Sequence, residues 1–191
     1  MSKIFIISGC NGAGKTTASF TILPELLNIT DFVNADEIAK GLSPFQPENV
    51  SIEAGRIMLK RLHFLLEQHQ DFAFETTLSS KTFIHLIEKA KKLGYSVHLV
   101  FYWLESVDLA IERVKIRVAE GGHNIPTETI IRRYYAGLKN LINVYAKSVD
   151  SWMIFENSSA EPLPIAKGEK SALITIFDET QWKRINQIAK K

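Results

Sequence analysis

Close to the N-terminus, Gly9-Cys10-Asn11-Gly12-Ala13-Gly14-Lys15-Thr16 fills every fixed position of the pattern G-x-x-x-x-G-K-[ST]. Its glycines let the backbone curl with N–H groups turned inward, forming a nest for phosphate oxygens. A helix opening at Gly14 adds the positive end of its dipole. In such a loop Lys15 bridges the β- and γ-phosphates of ATP, and the Thr16 hydroxyl ligates Mg²⁺. The expected ATP-binding residues are Gly9, Asn11, Gly12, Ala13, Gly14, Lys15, Thr16 and Thr17, with Arg113 and Asn157 from later in the chain. Cys10 occupies a variable position and reads as filler.

Further polar residues follow the predicted strands. In an open α/β sheet the carboxyl ends of the strands carry the ligand. The strands expected here run into Asn34-Ala35-Asp36, Glu75-Thr76-Thr77, Glu105 and Asn157-Ser158-Ser159. Asp36 is the candidate base for an acceptor hydroxyl that attacks the γ-phosphorus; the alternative is an N-cap for a helix starting at Glu37. Glu75, Thr76 and Thr77 are candidates for binding the acceptor, as is Asp36. For Glu75 the alternatives are a helix-entry cap and an ion pair with a lysine. No apolar run ends in the Asp of many motor and switch NTPases, which favours small-molecule kinases.

Arginines supply a third group. Arg113 and Arg117 stand four apart on one helical face, and Arg132 and Arg133 open the next helix across the connection Gly121–Pro126. A lid bearing them neutralises the moving phosphoryl group and excludes water. Otherwise they form a solvated basic face with Glu112 and Glu120. With Lys15 and Asp36, the catalytic set expected is Arg117 and Arg132. His123 reads either as a phosphate contact or as a loop histidine without a role. His63, His69, His85 and His98 lack metal-ligand spacing.

These residues need a scaffold, and the apolar pattern provides one. Strand-length runs at Ile4–Ser8, Phe32–Asn34, Phe72–Phe74, Val97–Trp103 and Trp152–Phe155 alternate with helical stretches, which signals a parallel α/β sheet. The helices are expected over 14–27, 48–68 (burying Ile52, Ile57, Leu59, Leu62 and Leu66) and 81–93. Further ones start near Val107 and Pro126, the last burying Ile131, Tyr135, Leu138, Ile142 and Tyr145. Ile174–Ile176 adds an edge strand before a C-terminal helix.

The 191 residues, 46% hydrophobic and 23% charged, fit one globular domain over 1–191. A formal net charge of +2 without basic clusters argues against nucleic acid and anionic membranes as partners. One cysteine excludes an internal disulfide, and the N-terminal apolar run is too short to span a membrane. A cytoplasmic protein is expected.

Several segments together resemble the zeta-toxin-like P-loop kinases: Phe32 through Ala39, Phe72 through Ser79, Gly121 through Pro126, and Asp150 through Ser158. The resemblance runs from the phosphate loop to about Gly168. It implies a nucleoside-kinase-like P-loop NTPase fold with parallel strand order 2-3-1-4-5 and a small arginine-bearing lid. Members of the toxin branch phosphorylate the 3′-hydroxyl of the amino sugar in UDP-N-acetylglucosamine. By that resemblance Asp36 is the base, Glu75 and Thr77 bind the acceptor, and the lid arginines stabilise the transferred group. An antitoxin-like protein is a further possible partner. The toxin branch carries an arginine near the position of His123, and this chain lacks the toxins' longer insertions. A P-loop ATPase or nucleotide switch, and a kinase for an unrelated metabolite, remain the alternatives.

Overall fold

The computed structural model describes residues 2–159, 161–169 and 174–190. Five parallel strands form the centre: β1 (Lys3–Gly9), β2 (Phe32–Val33), β3 (Phe72–Thr76), β4 (Ser96–Trp103) and β5 (Ser151–Glu156). They lie in the order β2-β3-β1-β4-β5, as the resemblance implied, and two antiparallel strands extend the sheet: β6 (Leu163–Glu169) and β7 (Ile174–Ile176). The β1 side chains Ile4 and Ile6 are buried with Phe72 and Phe74 of β3 and Val97, Leu99 and Phe101 of β4. These near-continuous apolar runs suit strands covered on both faces. Register then sets the site: Ile7 pairs with Glu75 and Ser8 with Thr76, so β3 delivers its carboxylate beside the start of the phosphate loop.

The helices are α1 (Lys15–Leu26), α2 (Ala35–Leu42), α3 (Ser51–Glu67), α4 (Ile84–Lys92), α5 (Val107–Ala119), α6 (Thr127–Asn140), the short α7 (Ala146–Ser148) and α8 (Glu179–Lys190). A 3₁₀ turn, Pro47–Val50, precedes α3, which therefore starts three residues later than expected. None of the described helices is long and apolar enough to cross a membrane.

Two expected helix faces need correction. On α3 the buried residues are Ala54, Met58, Leu62, Leu65 and Leu66, while Ile52 is 73% exposed and Ile57 is also exposed. On α6 the buried face is Ile130, Tyr134, Gly137 and Leu138, leaving Ile131 and Tyr135 exposed. The apolar pairs Ile130-Ile131 and Tyr134-Tyr135 offer two stripes one residue apart. Through the π-helical turn Leu141–Tyr145 that follows, Leu141 and Tyr145 are buried and Ile142 is half-buried. Strand β6 was not expected either. Its Pro164 and Gly168 argue against a strand by composition, but it lies outside the parallel core, where proline is tolerated. Gly168 is needed there, because a Cβ would come within 2.5 Å of the Trp152 ring.

Candidate active site

The glycine-rich loop leaves β1 at Gly9 and enters α1 at Lys15. Gly12 and Gly14 hold φ of +80° and +77°, in the left-handed region that glycine occupies without strain. Neighbours crowd both: a Cβ at Gly12 would stand 2.9 Å from the Ala110 carbonyl oxygen, and one at Gly14 2.7 Å from Asn157 Nδ2. Asn157 donates to the Ala13 carbonyl at 2.8 Å, so it braces the loop from the end of β5. Thr17 is exposed on the first turn of α1. Cys10 is buried, and burial pushes its thiol up to about 11, which makes it inert.

Glu75 gathers the loop's reactive side chains. Its Oε2 accepts from Thr16 Oγ1 at 2.7 Å and from Asn34 Nδ2 at 2.9 Å, and its Oε1 lies 3.4 Å from Lys15 Nζ. Lys15 also donates to the Cys10 carbonyl at 2.9 Å. Of the readings open for Glu75, the ion pair with a lysine is therefore realised. Thr16 and Glu75 bring oxygen donors together, the ligand type that a hard cation such as Mg²⁺ takes, and the residues fit that ion.

Asp36 does not spend its side chain on capping the helix. Asn34 caps α2, its Oδ1 accepting from the Asp36 N–H at 2.8 Å, so Asp36 sits within the first turn and is not the cap. The Asp36 carboxylate is half-exposed, with Oδ2 3.8 Å from His123 Nε2. Burial lowers the pKa of His123, and the Asp36 charge opposes that shift.

The four arginines diverge. Arg113 donates to the carbonyls of Asn157 and Ser158, both at 2.8 Å, fastening the loop after β5. Arg117 reaches the His123 carbonyl at 3.4 Å and so holds the connection between α5 and α6. Arg133 donates to Asn11 Oδ1 at 3.2 Å. A cavity of about 420 Å³ brings Lys15, Asp36, Glu75, Thr76, Thr77 and Arg133 together. A second, of about 410 Å³, shares Asp36 and Arg133 with it and adds His123 and Arg132. Arg132 lines the second cavity with Asp36 and His123 and does not line the first.

Helix α6 and the π-helical turn after it fix the segment after β3. Asn140 donates to the Leu78 carbonyl at 2.7 Å, Tyr145 to that of Ser80 at 2.8 Å, and Gly137 lies flush against the Thr77 carbonyl. Thr76 Oγ1 accepts from the Leu78 N–H, and Thr77 Oγ1 pairs with Ser79 Oγ at 3.0 Å. Sequence reasoning missed Asn34 as cap and Glu75 partner, although Asn directly before a helical run is a known cap signal. It also missed the contribution of α3, whose Gly55, Arg56 and Leu59 line the first cavity.

The family model described as zeta toxin matches residues 2–163. An uncharacterized protein of Haemophilus influenzae is 34% identical over 134 residues, covering 70% of this chain and 93% of that one. Among solved structures, the AvrRxo1-ORF1:AvrRxo1-ORF2 complex with sulphate ions superposes with a TM-score of 0.80 at 18% identity, over 97% of this chain. This chain spans 63% of the length of that one. The same complex with ATP gives a TM-score of 0.77. A structure of the PezAT chromosomal toxin–antitoxin system of Streptococcus pneumoniae gives 0.62 at 13% identity, covering 99% of this chain and 84% of that one.

Proposed function

Because the chain belongs to the zeta toxin family, a family of ATP-dependent P-loop phosphotransferases, we propose that it phosphorylates a hydroxyl of a small acceptor held beside the phosphate loop. The observation that carries this reading is that one cavity is lined by Lys15, Asp36, Glu75 and Arg133 together. The loop N–H groups receive the ATP phosphates, and Lys15 exchanges the Cys10 carbonyl for the β- and γ-oxygens. Thr16, backed by Glu75, would hold Mg²⁺, which neutralises charge on those oxygens. Asp36 takes the acceptor's proton as its oxygen bonds to the γ-phosphorus and the bond to the ADP oxygen breaks. Arg133, on the loop side, faces the charge that gathers on the transferred group. Arg132 supports Asp36 from the lid side, while Arg117, Arg113 and Asn157 hold the lid and loop in place.

UDP-N-acetylglucosamine is the first acceptor to test, on the strength of the family resemblance. Residues 1–191 are proposed to act as one kinase domain in the cytoplasm, where ATP and such acceptors are found. The AvrRxo1 structure is of an ORF1:ORF2 complex and the PezAT structure is of a toxin–antitoxin system, which supports a search for an antitoxin-like partner by co-purification. The deciding experiment is transfer of labelled γ-phosphate from Mg-ATP to a panel of nucleotide sugars, sugars and nucleosides. Label on a hydroxyl compound is expected. Release of free phosphate alone, with every acceptor ignored, favours a nucleotide switch instead.

A further inference from the structure

His123, in the connection between α5 and α6, has no part in the transfer chemistry, yet its position is closely fixed. Gly122 donates its N–H to the Arg117 carbonyl at 2.8 Å, and a Cβ at Gly122 would come within 2.7 Å of the Arg117 side chain. The chain therefore runs tightly along the end of α5 just before His123. Arg117 then donates to the His123 carbonyl at 3.4 Å. The imidazole, only 12% exposed, turns towards α2, where its Nε2 stands 3.8 Å from Asp36 Oδ2. Asp36 is fixed in turn, because the Asn34 cap holds its N–H at the start of α2.

The two cavities meet at this pair. Asp36 lines both of them, while His123 lines the second and not the first, which holds Lys15 and Glu75. The imidazole therefore reaches the acceptor through Asp36, with one carboxylate oxygen for the hydroxyl and the other for the ring. Their separation is roughly 1 Å beyond an N–H···O bond. Catalytic hydrogen bonds are often that long in the free enzyme and tighten in the complex with substrates.

His123 is faced by Asp36 and Lys40 of α2, Glu48 of the 3₁₀ turn and Arg117 of α5, and Arg132 and Arg133 of α6 line the same cavity. Burial pushes its pKa below the ordinary 6.5; Asp36 and Glu48 pull it up, and Arg117 and Lys40 push it further down. Near neutral pH the ring thus carries one N–H and one lone pair. A carboxylate beside Nε2 favours the tautomer with hydrogen on that nitrogen.

We propose that His123 is a positioning residue for Asp36: the neutral imidazole donates from Nε2 to Oδ2 and so aims Oδ1 at the acceptor hydroxyl. Once the ring takes up a proton, its positive charge holds the carboxylate ionised and weakens it as a base. Transfer should therefore decline as pH falls through the His123 titration, below about 6.5. This inference rests on the kinase reading with Asp36 as base and adds the residue that orients it.

The test has two arms. In the free protein, long-range ¹H–¹⁵N NMR reports the tautomer and pKa of the His123 ring, its signal assigned by loss in His123→Gln. The Nε2–H tautomer is expected, and Asp36→Asn should lower the His123 pKa by removing the charge that favours the imidazolium. In the γ-phosphate assay, with an acceptor that the panel labels, His123→Ala should cut kcat roughly 10- to 100-fold, the loss of a hydrogen bond to a charged group. The KM for ATP should change little. His123→Gln places an amide N–H near the Nε2 position, so it should recover most of that loss near about pH 8. It should also keep its rate down to about pH 5.5, where the wild type declines. Melting curves check that both variants fold. An Nδ1–H tautomer, a His123 pKa unmoved by Asp36→Asn, a His123→Ala as fast as wild type, a His123→Gln as slow as His123→Ala, or an unchanged acid decline in His123→Gln would each overturn the positioning role and leave the kinase standing. Full activity in Asp36→Asn would remove the base and this role with it, and label on no acceptor would overturn the kinase reading as well.

Discussion

Replacing Glu75 by glutamine asks whether the carboxylate holds the empty phosphate loop together. The Glu75 side chain is only 9% exposed and faces three donors: Thr16 Oγ1, Asn34 Nδ2 and Lys15 Nζ. Glutamine keeps the shape but brings one acceptor oxygen and an amide group that itself donates. If that oxygen stays on Thr16 and Asn34, the amide meets the Lys15 ammonium donor to donor. Two charge-assisted hydrogen bonds become neutral ones, a loss of about 1 kcal/mol each. Breaking a buried ion pair costs about 3–5 kcal/mol when the remaining charge is stranded. Here Lys15 keeps the Cys10 carbonyl and borders the cavity, so that cost applies only in part. The expected total is roughly 2–4 kcal/mol, a fall in Tm of about 5–12 °C for a chain of this size. Calorimetry without nucleotide is the assay. Pyrophosphate, which gives Lys15 a new anionic partner, should narrow the gap between variant and wild type. A variant that melts within about 1 °C of wild type without ligand would refute the reasoning.

Asp36→Asn should keep nucleotide affinity while transfer to the acceptor falls roughly 10²- to 10⁴-fold, measured by labelled-phosphate transfer; full activity would remove Asp36 as base. Two helical glycines should respond to alanine with opposite sign. Gly55→Ala gains helix propensity in open space and should stabilise by about 0.5–1 kcal/mol. Gly137→Ala sets a Cβ 2.5 Å from the Thr77 carbonyl oxygen and should destabilise by about 1–3 kcal/mol, both read as Tm shifts. His98 contacts Ser96 and Ser151 and stacks on Phe5; burial holds its pKa below 6.5, against an opposing pull from Asp150. The unfolded chain therefore takes up the proton first, and stability is lost as pH falls from about 6.5 towards the lower native value. His98→Gln should flatten that decline in urea titrations compared at about pH 7.5 and about pH 5.5.

The chemistry of nucleotide binding could be read from the chain because it is local. Gly9 through Thr16 are consecutive, and their function needs only a strand before them and a helix after, both written in short-range apolar pattern. The parallel centre of the sheet was legible for the same reason: runs such as Ile4–Ser8 and Val97–Trp103 bury both faces and need no partner to be recognised. Where the pattern was doubled, as at Ile130-Ile131 and Tyr134-Tyr135, the wrong stripe was favoured, because only packing against the core selects between faces 100° apart.

The division of labour among the polar residues belonged to the tertiary structure alone. Sequence placed Glu75 at a strand end, but its contact with Thr16 follows from the register that sets Ile7 against Glu75. Four arginines in two neighbouring helices looked alike as sequence; crossing α5 and α6 over the loop turned Arg113 to backbone carbonyls and Arg133 to Asn11. Arg56 and Gly55 gave no signal at all, since they face a cavity whose other walls come from separate segments of the chain, such as Asn34–Asp36 and Glu75–Thr77. A side chain's partners across such separations depend on helix rotation and strand register, which no short window of sequence contains.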